Sequence, residues 1–296
     1  MSDGLFTDYP DSPYKVPTAT HSDPQRSRFD LEAMPTDAAK ATLDKDASKD
    51  ETDELADELT DLQERLYADR SRSVLVVLQA IDAGGKDSTI RRVFGHLNPQ
   101  GVRVWSFKVP SELERDHDFM WRYHQKTPAR GMIGIFNRSH YESVLVERIK
   151  GIVSRPKWSA RYEQINTFEK GLVAEGTIVL KFFLNLSPSE QADRFRDRLT
   201  EKDKWWKFSE SDLIERRRWY EYRAAFRDAL AACSTPWAPW YCIPADQKWH
   251  RDHAISGIVA GAMRALDLSF PEPAEDMAER VDEFLKALDE PLEKPE

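Results

Sequence analysis

The sequence predicts an α/β fold built on a mainly parallel five-stranded sheet, with a helical lid over one end. Three observations carry this. Five short Val-, Ile- and aromatic-rich runs punctuate the chain and alternate with helix-like segments. The first run leads into a glycine-containing loop and then a helix, the arrangement of a phosphate site beyond the carboxyl end of a strand. A stretch around 191–223 is dense in Arg, Lys and aromatics but poor in core signal.

Taken in order, residues 1–50 are rich in Pro, Ser, Thr, Asp and Lys and lack apolar periodicity, so most of them read as an irregular or mobile N-terminal arm. Residues 51–270 form the predicted core. Leu55, Leu59, Leu62 and Leu66 recur at helical spacing. "SVLVVLQA" (73–80) is apolar nearly throughout, as a strand covered on both faces must be. Further strands are expected at 102–109, 131–137, 176–186 and 239–245. Helices are expected at 89–97, 141–153, 187–198 and 255–266. Residues 271–296 read as an acidic, peripheral C-terminal tail.

With 296 residues, 40% hydrophobic and 32% charged, the composition is that of a globular chain. No apolar run reaches the ~18 residues of a membrane span, and the start lacks the charge and apolar pattern of a signal peptide. Cys233 and Cys242 give no disulfide framework and read as buried small hydrophobes in a reducing, cytoplasmic setting. The net charge of −9 argues against nucleic acid as a partner; it leaves room for a local cationic groove, because screening confines such fields to about 8–10 Å.

The loop "LQAIDAGGKDSTI" (78–90) departs from G-x-x-x-x-G-K-[ST]: Ala80 replaces the first glycine and Asp87 follows Lys86. It keeps the physics. Gly84 and Gly85 let backbone N–H groups turn toward an anion, Lys86 supplies a point charge, and the next helix offers its N-terminus. The hydroxyls of Ser88 and Thr89 are further candidates. Asp82 is a candidate Mg²⁺ ligand, since phosphate chains travel with that ion. Asp87 is either a phosphate-site acid or a helix cap. After the third strand, "FNRSHYESVLVER" (136–148) puts a polar cluster beside the loop. Arg194 and Arg198, four apart on one helix face, predict with Lys204 and Lys207 a cationic lid. Trp205, Trp206, Trp219 and Tyr222 could stack on a base but are assigned to lid packing first, and "DHD" (116–118) to structure or substrate positioning rather than to a metal.

Three stretches, "QAIDAGGKDSTIRRVFGHLNPQGVRVWSFKVPS", "LERDHDFMWRYHQKTPARGMIGIFNRSHYESVLVERI" and "APWYCIPADQKWHRDHAI", together resemble the polyphosphate kinase type 2 family over residues 55–268. The family's loop reads D-A-x-G-K-D-G-T, which accounts for the acids; this chain has Ser88 at the second-last position of that pattern. Asn137, Arg138 and Glu142 resemble the class III branch, which accepts both AMP and ADP. The resemblance implies a P-loop kinase-like three-layer fold and reversible Mg²⁺-dependent phosphoryl transfer from inorganic polyphosphate to AMP and ADP, giving ADP and ATP. It also implies a homo-oligomer, dimer or tetramer.

The site so implied comprises Asp82 on Mg²⁺, Lys86 and Arg138 on the phosphates flanking transfer, Asn137 orienting a water or phosphate, and Glu142 near the acceptor and a metal. Arg194 and Arg198 close from the lid, and Arg91, Arg92 and Lys108 line a polyphosphate track. Lys248 belongs to a family element near the substrates. The competing readings are an ATP-using nucleoside monophosphate kinase of the same fold and a non-catalytic polyphosphate-binding protein.

Overall fold

The computed structural model describes residues 5–18, 29–39, 41–273 and 276–290. In chain order the elements are α1 (Lys45–Asp69), β1 (Ser73–Ala80), α2 (Lys86–Phe94), β2 (Val102–Ser106), α3 (Glu112–Asp116), α4 (Trp121–His124) and β3 (Ile133–Asn137). They continue with α5 (Val146–Ile149), α6 (Arg155–Ala174), β4 (Thr177–Asn185), α7 (Pro188–Thr200), α8 (Glu210–Arg217), α9 (Trp219–Cys233), β5 (Trp240–Pro244), α10 (Lys248–Arg264) and α11 (Met277–Leu288).

The five strands form one sheet in the order β2-β3-β1-β4-β5, and every neighbouring pair is parallel. Alternation along β1 divides the core. Val74, Val76 and Leu78 face the layer holding α1, α2 and α10, while Leu75 and Val77 face the layer holding α6 and α9. Both faces are therefore apolar, which is why β1 is buried along its whole length. The chain leaves β1 toward β2 on one side and leaves β4 toward β5 on the other, so the carboxyl ends of β1 and β4 flank a crevice.

In the N-terminal arm Tyr9, Tyr14, Val16 and Leu31 are buried. Residues 14–16 run along β5: Val16 N–H donates to Trp240 O and Cys242 N–H to Tyr14 O, both at 2.8 Å. This covers the free edge of the sheet. Further on, Asp246 N–H donates to Thr36 O at 2.9 Å and Asn185 Nδ2 to Pro35 O at 2.9 Å, strapping the arm over the ends of β4 and β5. A few isolated aromatic anchors hold it, a signal with no period to detect. The helix expected over 141–153 is broken into a 3-10 turn, His140–Ser143, and the short α5. The helix α6, which carries few apolar positions for its length, was not anticipated. Among the lid aromatics Trp219 and Tyr222 are buried as expected, whereas Trp205 and Trp206 are exposed. Helix α11 buries none of its residues against the body. No helix among the described residues is long and apolar enough to cross a membrane.

Candidate active site

The loop between β1 and α2 is shaped by its small residues. Gly84 N–H donates to Ile81 O at 3.0 Å, and a Cβ at position 84 would stand 2.8 Å from that oxygen. Gly85 precedes α2 at φ +96°, a left-handed conformation that favours glycine. Ala83 and Arg138 share that region at φ +63° each. Non-glycine residues held there cost about 1–3 kcal/mol, and such strain concentrates at functional sites.

The loop, the end of β3 and the turn after it bring six predicted residues together. Lys86 is half-buried, with Nζ 3.3 Å from Ala80 O. Burial depresses its ammonium pKa and the Arg138 charge adds to this; Asp82, Glu142 and Asp87 oppose both. Arg138 donates to Asp82 Oδ1 at 3.4 Å, and its backbone N–H to Leu78 O at 3.2 Å. Asn137 Nδ2 donates to Asp87 Oδ1 at 2.6 Å, tying the first turn of α2 to the end of β3. Glu142 sits in the 3-10 turn; burial raises its carboxyl pKa, while Arg138, Lys86 and the Gln79 side chain pull it down.

That turn is braced from below by a wholly buried cluster. Glu169 Oε1 accepts from Tyr141 OH at 2.9 Å and lies 3.0 Å from His140 Nε2; Oε2 accepts from Lys181 Nζ at 2.5 Å. The Lys181 and His140 partners hold the Glu169 carboxyl below its usual range against the opposing effect of burial, which is itself the largest influence.

The remaining predicted residues take other places. Arg194 already reaches the loop: its Nη1 donates to Ala83 O at 3.0 Å and its Nη2 to Ala245 O at 2.5 Å, while Glu190 pairs with Nε. Arg198 instead points into the lid, donating to Lys207 O at 3.1 Å and lying 3.7 Å from Asp212. The pairing of these two arginines on one face thus gives way to one at the loop and one in the lid. Thr89 Oγ1 and Ser88 Oγ both donate to Gly85 O, so they brace the loop itself. Arg92 pairs with Asp53 of α1, away from a track; Arg91 and Lys108 are exposed.

Three residues escaped the sequence reading. Gln191 Nε2 donates to Asp82 O at 2.8 Å while its Oε1 accepts from Arg216 of α8, linking lid to loop. Gln79, wholly buried, supports Ser139 and Glu142. Arg251 packs against Gly85. All three sit in segments whose apolar pattern names the element but not the polar residue's direction.

The sequence profile described as Polyphosphate kinase 2 matches residues 42–271. The chain belongs to that family. Within it, the chain is 46% identical over 255 residues to the AMP/ADP-polyphosphate phosphotransferase of Meiothermus ruber, covering 86% of this chain and 95% of that one. It is 43% identical over 226 residues to the ADP-polyphosphate phosphotransferase of Rhodopseudomonas palustris, 72% of this chain and 78% of that one. The crystal structure of Polyphosphate Kinase 2 from Arthrobacter aurescens superposes with a TM-score of 0.87 at 34% identity, covering 94% of this chain and 98% of that one. Membership in the polyphosphate kinase 2 family makes the protein a phosphotransferase with the P-loop kinase-like fold and accounts for the acid-bearing loop.

Proposed function

We propose that the protein transfers phosphoryl groups reversibly from inorganic polyphosphate to AMP and ADP, giving ADP and ATP, with Mg²⁺. The observation that carries this is the convergence of Lys86, Asp82, Arg138 and Glu142 at one helix N-terminus, in a chain so similar to an AMP/ADP-polyphosphate phosphotransferase.

Phosphoryl transfer asks the protein for alignment and charge neutralisation rather than covalent help. The acceptor phosphate is already ionised near neutral pH, so no strong general base is required. Lys86 and Arg138 hold the phosphates that flank transfer, and Asn137 orients a phosphate or water. Arg194 fastens the loop from the β4 side through Ala83. Asp82 and Glu142 offer hard oxygen donors beside a phosphate-binding loop, the donor chemistry Mg²⁺ takes. They would hold the ion, which when bound supplies charge neutralisation on the phosphates. We further assign the protein to the cytoplasm as a homo-oligomer, dimer or tetramer, which analytical ultracentrifugation tests.

The deciding assay supplies polyphosphate and Mg²⁺ without ATP, and AMP and ADP separately. Conversion of both is expected. Activity with AMP only when ATP is added would favour the rival monophosphate-kinase reading. AMP is one phosphate shorter than ADP, so a sliding polyphosphate chain or a repositioned metal must bridge the gap. Glu142 is placed to hold a metal for the shorter acceptor. Glu142→Asn should therefore lose roughly tenfold more kcat/KM with AMP than with ADP, since an amide binds Mg²⁺ less well. An equal loss would remove Glu142 as the source of dual acceptance.

The lid should order on binding. Neither the 3-10 turn Lys202–Lys207 nor α8 contains a buried residue, while α7 is already fastened to the loop through Gln191 and Arg194. Hydrogen exchange over 201–217 should slow when polyphosphate and Mg²⁺ are added. Unchanged exchange there would exclude closure.

A further inference from the structure

Arg251, near the start of α10, is fully buried. Its Nε and Nη2 both donate to Asp252 Oδ1, at 2.8 and 2.7 Å, leaving Nη1 with no hydrogen-bond partner in the structure. An unsatisfied buried donor carries a desolvation cost, and a larger one when charged. Its direction is given by Gly85: a Cβ added there would overlap Arg251 Nη1 and come within 3.3 Å of both Arg194 Nη1 and Ser88 Oγ. Two guanidinium groups thus crowd the N-terminal residue of α2, and only glycine backbone separates Arg251 from the loop. Burial depresses the Arg251 pKa, Asp252 opposes this, and Arg194 adds repulsion.

The flanks of this site differ. On the β3 side stand the carboxylates Asp82, Asp87 and Glu142 with Asn137 and Arg138. On the β4–β5 side stand Arg194 and Arg251, whose acids, Glu190 and Asp252, are each already engaged by a guanidinium. A metal-bearing acceptor suits the first flank. A repeating anion with no base to recognise needs only donors and positive charge, and suits the second.

We propose that Arg251 binds the donor through Nη1, taking a phosphate of inorganic polyphosphate at the N-terminus of α2 beside Arg194, on the flank opposite Glu142. This rests on the reading of the site as a polyphosphate phosphotransferase and adds the side from which the donor chain arrives. Gly85 is then required for a second reason besides its backbone conformation: any side chain there would stand between the guanidinium and the anion.

The test uses Arg251→Gln, which keeps an amide to donate to Asp252 but removes the charge. Steady-state rates are measured against polyphosphate at saturating ADP and against ADP at saturating polyphosphate. Binding of inorganic tripolyphosphate is measured by calorimetry. The expected result is a roughly tenfold rise in KM for polyphosphate and in the tripolyphosphate Kd, KM for ADP within about twofold, and a salt slope of binding reduced by about one. Arg251→Lys should recover part of the loss. The isosteric Asp252→Asn, which removes the competing negative charge while its amide oxygen still accepts from Arg251 and holds it in place, should tighten tripolyphosphate binding severalfold and serves equally if the Arg251 variants fail to fold. A folded Arg251→Gln with unchanged polyphosphate KM, an equal rise in both KM values, or unaltered tripolyphosphate binding in Asp252→Asn overturns the proposal. A wild type that shows no polyphosphate-dependent turnover overturns the underlying reading instead.

Discussion

Lys86→Ala is expected to lower turnover by roughly two decades or more while leaving the fold intact. Among the described residues Lys86 Nζ has Ala80 O as its hydrogen-bond acceptor and lies among the charges of Arg138, Asp82, Glu142 and Asp87. It is therefore a positive charge held for a ligand rather than for packing. Preorganised charges of this kind are worth about 3–4 kcal/mol in the transition state. Asp82→Asn should cost a similar amount. Circular dichroism and urea midpoints establish that the variants are folded, and single-turnover rates measure the loss; near-wild-type rates in folded protein would refute the assignment. Lys86 is one of the charges that lower the Glu142 carboxyl pKa. Removing it raises that pKa further, so the acidic limb of the residual pH–rate profile should move to higher pH.

The second large effect concerns stability. Lys181→Met removes the ammonium group from the wholly buried cluster and leaves Glu169 facing only His140 and Tyr141. Breaking a buried pair in this way costs about 3–5 kcal/mol. The pH dependence has a defined sign. In wild type Glu169 titrates below its ordinary value of 4.5, so its contribution is present above 4.5 and is lost as pH falls through the depressed value. His140, depressed from 6.5 by burial, likewise contributes above 6.5 and loses its share on acidification. In the variant Glu169 no longer has its strongest reason to stay ionised. Its pKa rises, so the variant gains relative to wild type as pH falls. Urea melts at neutral pH and again in mild acid should show the gap narrowing. A constant gap would mean that the ammonium acts only as packing. Because Glu169 also holds His140 and Tyr141, the first two residues of the Glu142 turn, part of the lost stability should reappear as lost activity with AMP.

Much of this was legible in the sequence because the relevant signals are local. All five strands fall within the expected runs, and 73–80 coincides with β1, since a strand buried on both faces must be continuously apolar. Lys86, Asp82, Asn137, Arg138 and Glu142 were named from two motifs whose strands turned out to be neighbours. What stayed hidden depends on long-range direction. Arg251 reads in sequence as one cation in "KWHRDH"; only the packing of α10 on α2 turns it toward Gly85. Arg92 and Arg91 are adjacent in sequence, yet the helix sends Arg92 to Asp53. The seating of the arm was not legible because Tyr14 and Val16 find partners more than 200 residues away, at His250 and Ser234, which no windowed pattern can register.

Those partners impose an order on biosynthesis. Tyr14 is made long before its partners: its hydroxyl meets His250 Nε2 at 2.7 Å and its backbone carbonyl meets Cys242. Central β1, too, gains β3 on one flank before β4 can close the other. During translation the segment holding Tyr14 must therefore stay unseated until β5 has emerged, because closing so long a loop brings no reward until β5 exists. The strap seats only after β5, although it is made well before it. A nascent chain halted before residue 240 would carry Tyr9, Tyr14 and Val16 uncovered, within reach of chaperones and proteases from which the finished molecule hides them.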